Sequence, residues 1–154
     1  MNAIAFHFNV PAPVSYLCRL LRKATHAGQR AWVLLPPALA HELDAALWTF
    51  APEEFIAHAR HASVEAEESG QAGLGSDARL WQRAPVVLST QLAPQASGWP
   101  LLINLLEPVP VGFERFERLI EIVPQDEALK QAARLRWRHY SQLGLALKHH
   151  DASA

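Results

Sequence analysis

Apolar positions along the chain change their period from segment to segment, and the changes predict alternating strands and helices. Residues 3–9 (AIAFHFN) form an apolar and aromatic run, which predicts a first strand. Val14, Leu17, Cys18, Leu21 and Ala24 recur at steps of three or four, the spacing of one helical face, and predict a helix over 14–27. Gly28 is placed to end it. Residues 31–35 (AWVLL) are continuously apolar, as in a strand covered on both sides. Pro36 and Pro37 then lead into a second helix over about 38–48. Strand candidates follow at 85–90 (PVVLST) and 101–105 (LLINL). One or two helical turns at 113–118 feed a last strand at 119–123 (LIEIV), and a final helix runs over about 126–143. Strands alternating with helices imply right-handed crossovers. The expected fold is α/β: a single three-layer α/β/α domain with a mostly parallel sheet, Rossmann-like in outline.

Residues 62–80 break this rhythm. The stretch is polar, acidic and glycine-rich, and is expected to be a surface loop within a domain spanning 1–148. Residues 149–154 are expected to form a short, polar, frayed tail, with His149 and His150 solvated. No internal repeat is evident.

Composition narrows the function classes. The 154 residues are 50% hydrophobic and 19% charged, which suits an ordinary globular core. Net charge is −1, so no global basic excess drives the chain onto nucleic acid or a membrane surface. One cysteine, Cys18, excludes an intrachain disulfide and fits a reducing, cytoplasmic setting. Its place on the apolar stripe of the first helix makes it a packed thiol. No apolar run approaches the roughly 20 residues of a membrane span, and the N-terminus has no signal-peptide pattern.

Catalytic and cofactor chemistry finds little support. A nucleotide-binding sheet of this type carries a glycine-rich turn after its first strand, and here that turn is NVPAPVS. Gly70, Gly73 and Gly75 follow no strand and precede no lysine, so they do not make a phosphate loop. His58, His61 and Glu65 have i, i+3, i+7 spacing, but no cysteine lies near and zinc needs three or four convergent ligands. Ser89 and Thr90 end a strand without a glycine elbow. The expectation is no cofactor, no metal and no intrinsic active site.

The last helix carries the informative pattern. On segment 126–141 (DEALKQAARLRWRHYS), Lys130, Arg134, Trp137, Arg138 and Ser141 fall within an arc of roughly 100°. Leu129, Ala133, Tyr140 and Leu143 form a neighbouring stripe fit to pack on a sheet, and Arg136 interrupts it, needing to snorkel or pair. Arginine grips carboxylates with a planar fork, and a tryptophan beside it adds an apolar wall. The combination suits either a peptide C-terminus ending in an aromatic residue or a phosphate with a stacked base. The bland alternative is a solvated charged face. A second aromatic group, Trp48, Phe50 and Phe55 around Ala51-Pro52, reads equally as core or as a docking patch.

In order, the segments AG-x-R-x-W-V-L-L, LDAALWTFAPEEFIAH, PLLINLLEPVP and IEIVPQDEALKQAARLRWRHY resemble the chi subunit of bacterial DNA polymerase III, over about residues 3–147. The resemblance implies a nucleotide-binding-like fold without nucleotide chemistry. It implies a non-catalytic accessory subunit of the replicative polymerase, paired with the psi subunit at the clamp loader. It also implies binding of the acidic C-terminal tail of single-stranded DNA-binding protein (SSB). By that resemblance the tail-binding positions are Val123, Lys130, Arg134, Trp137 and Arg138, with DNA contacted only indirectly. Trp137 stands where tyrosine is common in the family, and Ser141 stands where some members carry a further basic residue. The psi-facing positions are Trp48, Pro52 and Phe55, a surface that some members offer to a helicase-like partner. Ala57 stands where the family commonly has proline. Two other readings remain: direct single-strand binding with a base on Trp137, and a nucleotide- or metal-dependent enzyme.

Overall fold

A computed structural model describes residues 3–49, 58–60, 85–92 and 99–152. Seven strands form one sheet: β1 (Ala3–Val10), β2 (Ala31–Leu34), β3 (His58–Arg60), β4 (Val86–Ser89), β5 (Leu101–Asn104), β6 (Arg118–Pro124) and β7 (Leu147–Asp151). Their spatial order is β3-β4-β2-β5-β6-β1-β7. Every pairing in this sheet is parallel. Among the described residues three α-helices accompany it: α1 (Pro13–His26), α2 (Pro37–Thr49) and α3 (Glu127–Gln142).

The two faces of the sheet bury different residues. On the first, Ala31, Val33, Val86, Leu88, Ile103 and Ile120 pack against Leu17, Leu21, Leu43 and Leu47 of α1 and α2. On the second, Ile4, Phe6, Trp32, Leu34, Leu102 and Leu119 pack against Ala133 and Tyr140 of α3. Alternating strand residues thus enter alternate layers, the expected three-layer α/β/α arrangement. The helical turns expected at 113–118 are shorter, a single 3-10 turn at Phe113–Arg115, which drives Phe113 and Phe116 into the second layer.

The alternation of β1 breaks at one point. Ile4, Phe6 and Phe8 face the second layer, whereas Val10 faces the first. Asn9 between them has φ 59°, and the β1–β6 register shifts between His7 and Val10. A non-glycine residue in the left-handed region is uncommon, and asparagine tolerates it better than most. The side-chain amide of Gln125 donates to the Asn9 carbonyl at 3.2 Å, and the Gln125 backbone N–H donates to the Val10 carbonyl at 3.2 Å. The bend is therefore tied to the turn that starts α3.

Two expectations need correction. Residues 149–154 are not simply a frayed tail, because 147–151 form β7 beside β1, with Phe6 opposite His149 and His7 opposite His150. A helical face through His58 does not exist either, since 58–60 is strand. His61, Glu65 and the loop expected at 62–80 lie outside the described residues.

Candidate functional site

Helix α3 is set in place by a buried charge. Arg136 and Glu121 are 5% and 0% exposed, and Arg136 Nε lies 3.1 Å from Glu121 Oε2. That contact is an ion pair without hydrogen-bond alignment at Nε, while Arg136 Nη1 donates to the Glu107 carbonyl at 2.7 Å. Tyr140 donates its hydroxyl proton to Glu121 Oε2 at 2.7 Å, and the Asn104 side-chain amide donates to Oε1 at 2.8 Å. Burial raises the Glu121 pKa, and Arg136, Tyr140 and Asn104 oppose that rise. Burial and the neighbouring Glu121 push the Tyr140 phenol far above its ordinary value, so it remains a donor. The arginine that interrupts the apolar stripe is thus paired inside the molecule. Leu143, expected on the packed stripe, is instead 54% exposed beyond the end of the helix.

The helix start is fixed as well. Asp126 caps it, accepting the Leu129 backbone N–H at 3.0 Å. With Ala133, Arg136 and Tyr140 turned inward, the helical period turns Lys130, Arg134, Trp137 and Arg138 toward one side.

That side borders an open groove of about 560 Å³. All five tail-binding positions expected from the resemblance line it: Val123, Lys130, Arg134, Trp137 and Arg138. Val123 and Ala133 give it an apolar floor, and Phe6, Phe8 and His149 supply the opposite wall. The Phe6 and Trp137 rings meet edge to face at 5.0 Å between centroids. His149 stands 6.3 Å from the Trp137 ring and 5.9 Å from the Phe8 ring. Trp137 is half-buried, with part of its ring left open to the groove. Arg134 is exposed and reaches Glu127 at 3.7 Å, a surface pair of small energetic weight. The groove therefore joins an aromatic slot to a cationic rim, suited to an apolar side chain that ends beside a carboxylate.

Sequence reasoning missed Phe6, Phe8, Asn9 and His149 at this site. They come from β1 and β7, and only the strand order β6-β1-β7 brings them beside α3. The apolar Phe6 and Phe8 were visible as strand residues, but nothing local signalled which helix they would meet.

The second expected surface is described only in part. Trp48 lies near the end of α2 and is 62% exposed, a large apolar side chain facing solvent. Pro52 and Phe55 lie outside the described residues. Among the described residues, no three His, Cys, Asp or Glu side chains gather as a metal site. Also among them, no helix is long and apolar enough to cross a membrane.

Comparison with known proteins places the sequence. The family model described as DNA polymerase III chi subunit, HolC, matches residues 1–148. A Pseudomonas aeruginosa protein named DNA polymerase III subunit chi is 32% identical over 140 residues, covering 90% of this chain and 86% of the relative. A Haemophilus influenzae protein of the same name is 30% identical over 129 residues, covering 83% and 77% respectively.

Proposed function

The chain belongs to the family of DNA polymerase III chi subunits, and from that premise we propose that it is a non-catalytic adaptor that holds the acidic C-terminal tail of SSB in the α3 groove. As a member of this family it is an accessory component of a replicative DNA polymerase. The tail's terminal carboxylate and acidic side chains meet Arg134, Lys130 and Arg138. Its aromatic residue enters the slot between Trp137, Phe6 and Val123. The single observation that carries this reading is the convergence of those three cations with an aromatic-walled groove of suitable size. In the same proposal, a surface including Trp48, Pro52 and Phe55 receives a psi-type partner, which links the chain to the clamp loader in the cytoplasm.

The experiment is a titration of the full chain with two synthetic copies of the SSB tail, one with a free C-terminal carboxylate and one amidated. The free acid should bind at least tenfold more tightly, because one charge-assisted contact contributes about 1.5–3 kcal/mol. Equal affinities would remove the carboxylate from the account.

A further inference from the structure

A second groove, of about 1030 Å³, lies on the other side of the sheet, between α1 and the β1–β7 edge. Its cations come from two distant segments. Arg19 and Lys23 stand one turn apart on α1, and Lys148 comes from β7. Among the described residues no Asp or Glu lines it. A chain with net charge −1 thus adds Lys148 of β7 to the basic stretch Arg19–Lys23 of α1 and gathers these cations into one cleft.

The groove also holds a row of rings. Tyr16 and His7 meet edge to face at 5.7 Å, and His7 and His150 are 5.2 Å apart. The first pair is fixed by a 2.5 Å hydrogen bond between the Tyr16 hydroxyl and His7 Nδ1. The Arg19 guanidinium sits 5.9 Å from the Tyr16 ring centroid. Burial, followed by the nearby His150, Arg118 and Lys23, lowers the His7 pKa to about 4, consistent with a positive local potential. His149 lines both this groove and the α3 groove, so the two meet at β7.

We infer that this second groove binds single-stranded nucleic acid, with Arg19, Lys23 and Lys148 on backbone phosphates and bases laid against the exposed end of the Tyr16–His7–His150 ring row. Cations that track a backbone, next to flat rings that accept any base, are the combination used for strands without sequence preference. An acidic peptide would use the cations and leave the rings idle. The α3 groove differs in this respect: its cations rim an apolar slot closed by Phe6, Phe8 and Val123. The site is independent of the tail-binding reading, because it shares none of the cations proposed for the tail.

The test uses the full chain and a fluorescent oligothymidylate of about 20 nucleotides, followed by anisotropy at low and rising salt. Arg19→Ala/Lys23→Ala is the main variant; both residues are exposed on α1 and alanine favours helix, so the fold is retained. His150→Ala removes the exposed ring, and Arg134→Ala controls for the α3 groove. The double variant should weaken oligonucleotide binding tenfold or more. Its log–log salt slope should be shallower by more than about 1, since each phosphate neutralised on a single strand contributes about 0.7. His150→Ala should weaken binding severalfold at unchanged slope, and Arg134→Ala should leave it unchanged. Absence of oligonucleotide binding overturns the inference, as does binding insensitive to the double variant. Displacement of the oligonucleotide by polyglutamate at equal charge concentration also overturns it, and makes the groove a site for acidic peptide.

Discussion

Arg136 and Glu121 meet at 3.1 Å inside the molecule, while Arg134 and Arg138, two positions to either side on the same helix, stand in solvent. One buried pair thereby sets the rotation of α3 and aims the remaining cations at the groove. Removing one partner of such a pair leaves a charge without compensation. Glu121→Gln should cost about 3–5 kcal/mol of unfolding free energy in urea titrations. Tyr140→Phe removes one hydrogen bond to the carboxylate and should cost about 1.5–3 kcal/mol. A Glu121→Gln protein as stable as the wild type would show that the pair does not fix the helix.

Glu127 competes for the groove's arginine. It contacts Arg134 at 3.7 Å, and both side chains are 69% exposed. Such surface pairs contribute at most about 1 kcal/mol. Glu127→Gln should therefore strengthen binding of an acidic tail peptide by up to about fivefold at low salt, with the gain fading as salt screens it. Calorimetric titration at two salt concentrations reads this directly, and weaker binding by the variant would mean that Glu127 orients Arg134 productively.

Trp137 supplies a wall, and a smaller ring can replace it. Its edge-to-face contact with Phe6 needs an aromatic side chain, not an indole in particular. Trp137→Tyr should hold tail affinity within about threefold, whereas Trp137→Ala should lose roughly 2 kcal/mol, as truncated aromatic anchors commonly do. Peptide titration of both variants, with thermal melts to monitor the fold, separates the wall from a general loss of packing.

His7 makes stability depend on pH. Burial, followed by the neighbouring His150, Arg118 and Lys23, holds its pKa at about 4 in the folded chain against an ordinary value of 6.5. The folded state therefore keeps His7 neutral where the unfolded chain would protonate it. This contribution is complete above the unfolded pKa and is lost as pH falls from about 6.5 through about 4. His7→Gln should flatten the decline in melting temperature across that window. An unchanged acid profile would assign the decline to other groups.

The fold was largely legible from hydrophobic period, because strands covered on both faces read as unbroken apolar runs. AWVLL marks β2 for that reason, and LLINL marks β5 although Asn104 interrupts its apolar run. The strand β7 was not legible: LKHHD has one apolar residue, and its pairing with β1 is a property of the sheet and not of its own composition. The short β3 has only His58–Arg60 and carries no period at all. At the groove, the half drawn from α3 was readable because one helix displays it at a fixed angular spacing. Phe6, Phe8 and His149 were not, since strand order decides which residues face α3. The role of Arg136 was readable only as a conflict, a charge on an apolar stripe. Its partner Glu121 sat unremarked within LIEIV.

Capture of an acidic tail by the arginine-centred rim of α3 is the proposal on which the tail-binding role rests. It is tested most directly by measuring the affinity of an SSB C-terminal peptide for the wild-type chain and for Arg134→Ala at low salt. Arg134→Ala should bind roughly tenfold more weakly or worse, and wild-type affinity should fall as salt rises. Equal affinity for the two proteins, or wild-type binding indifferent to salt, would contradict it.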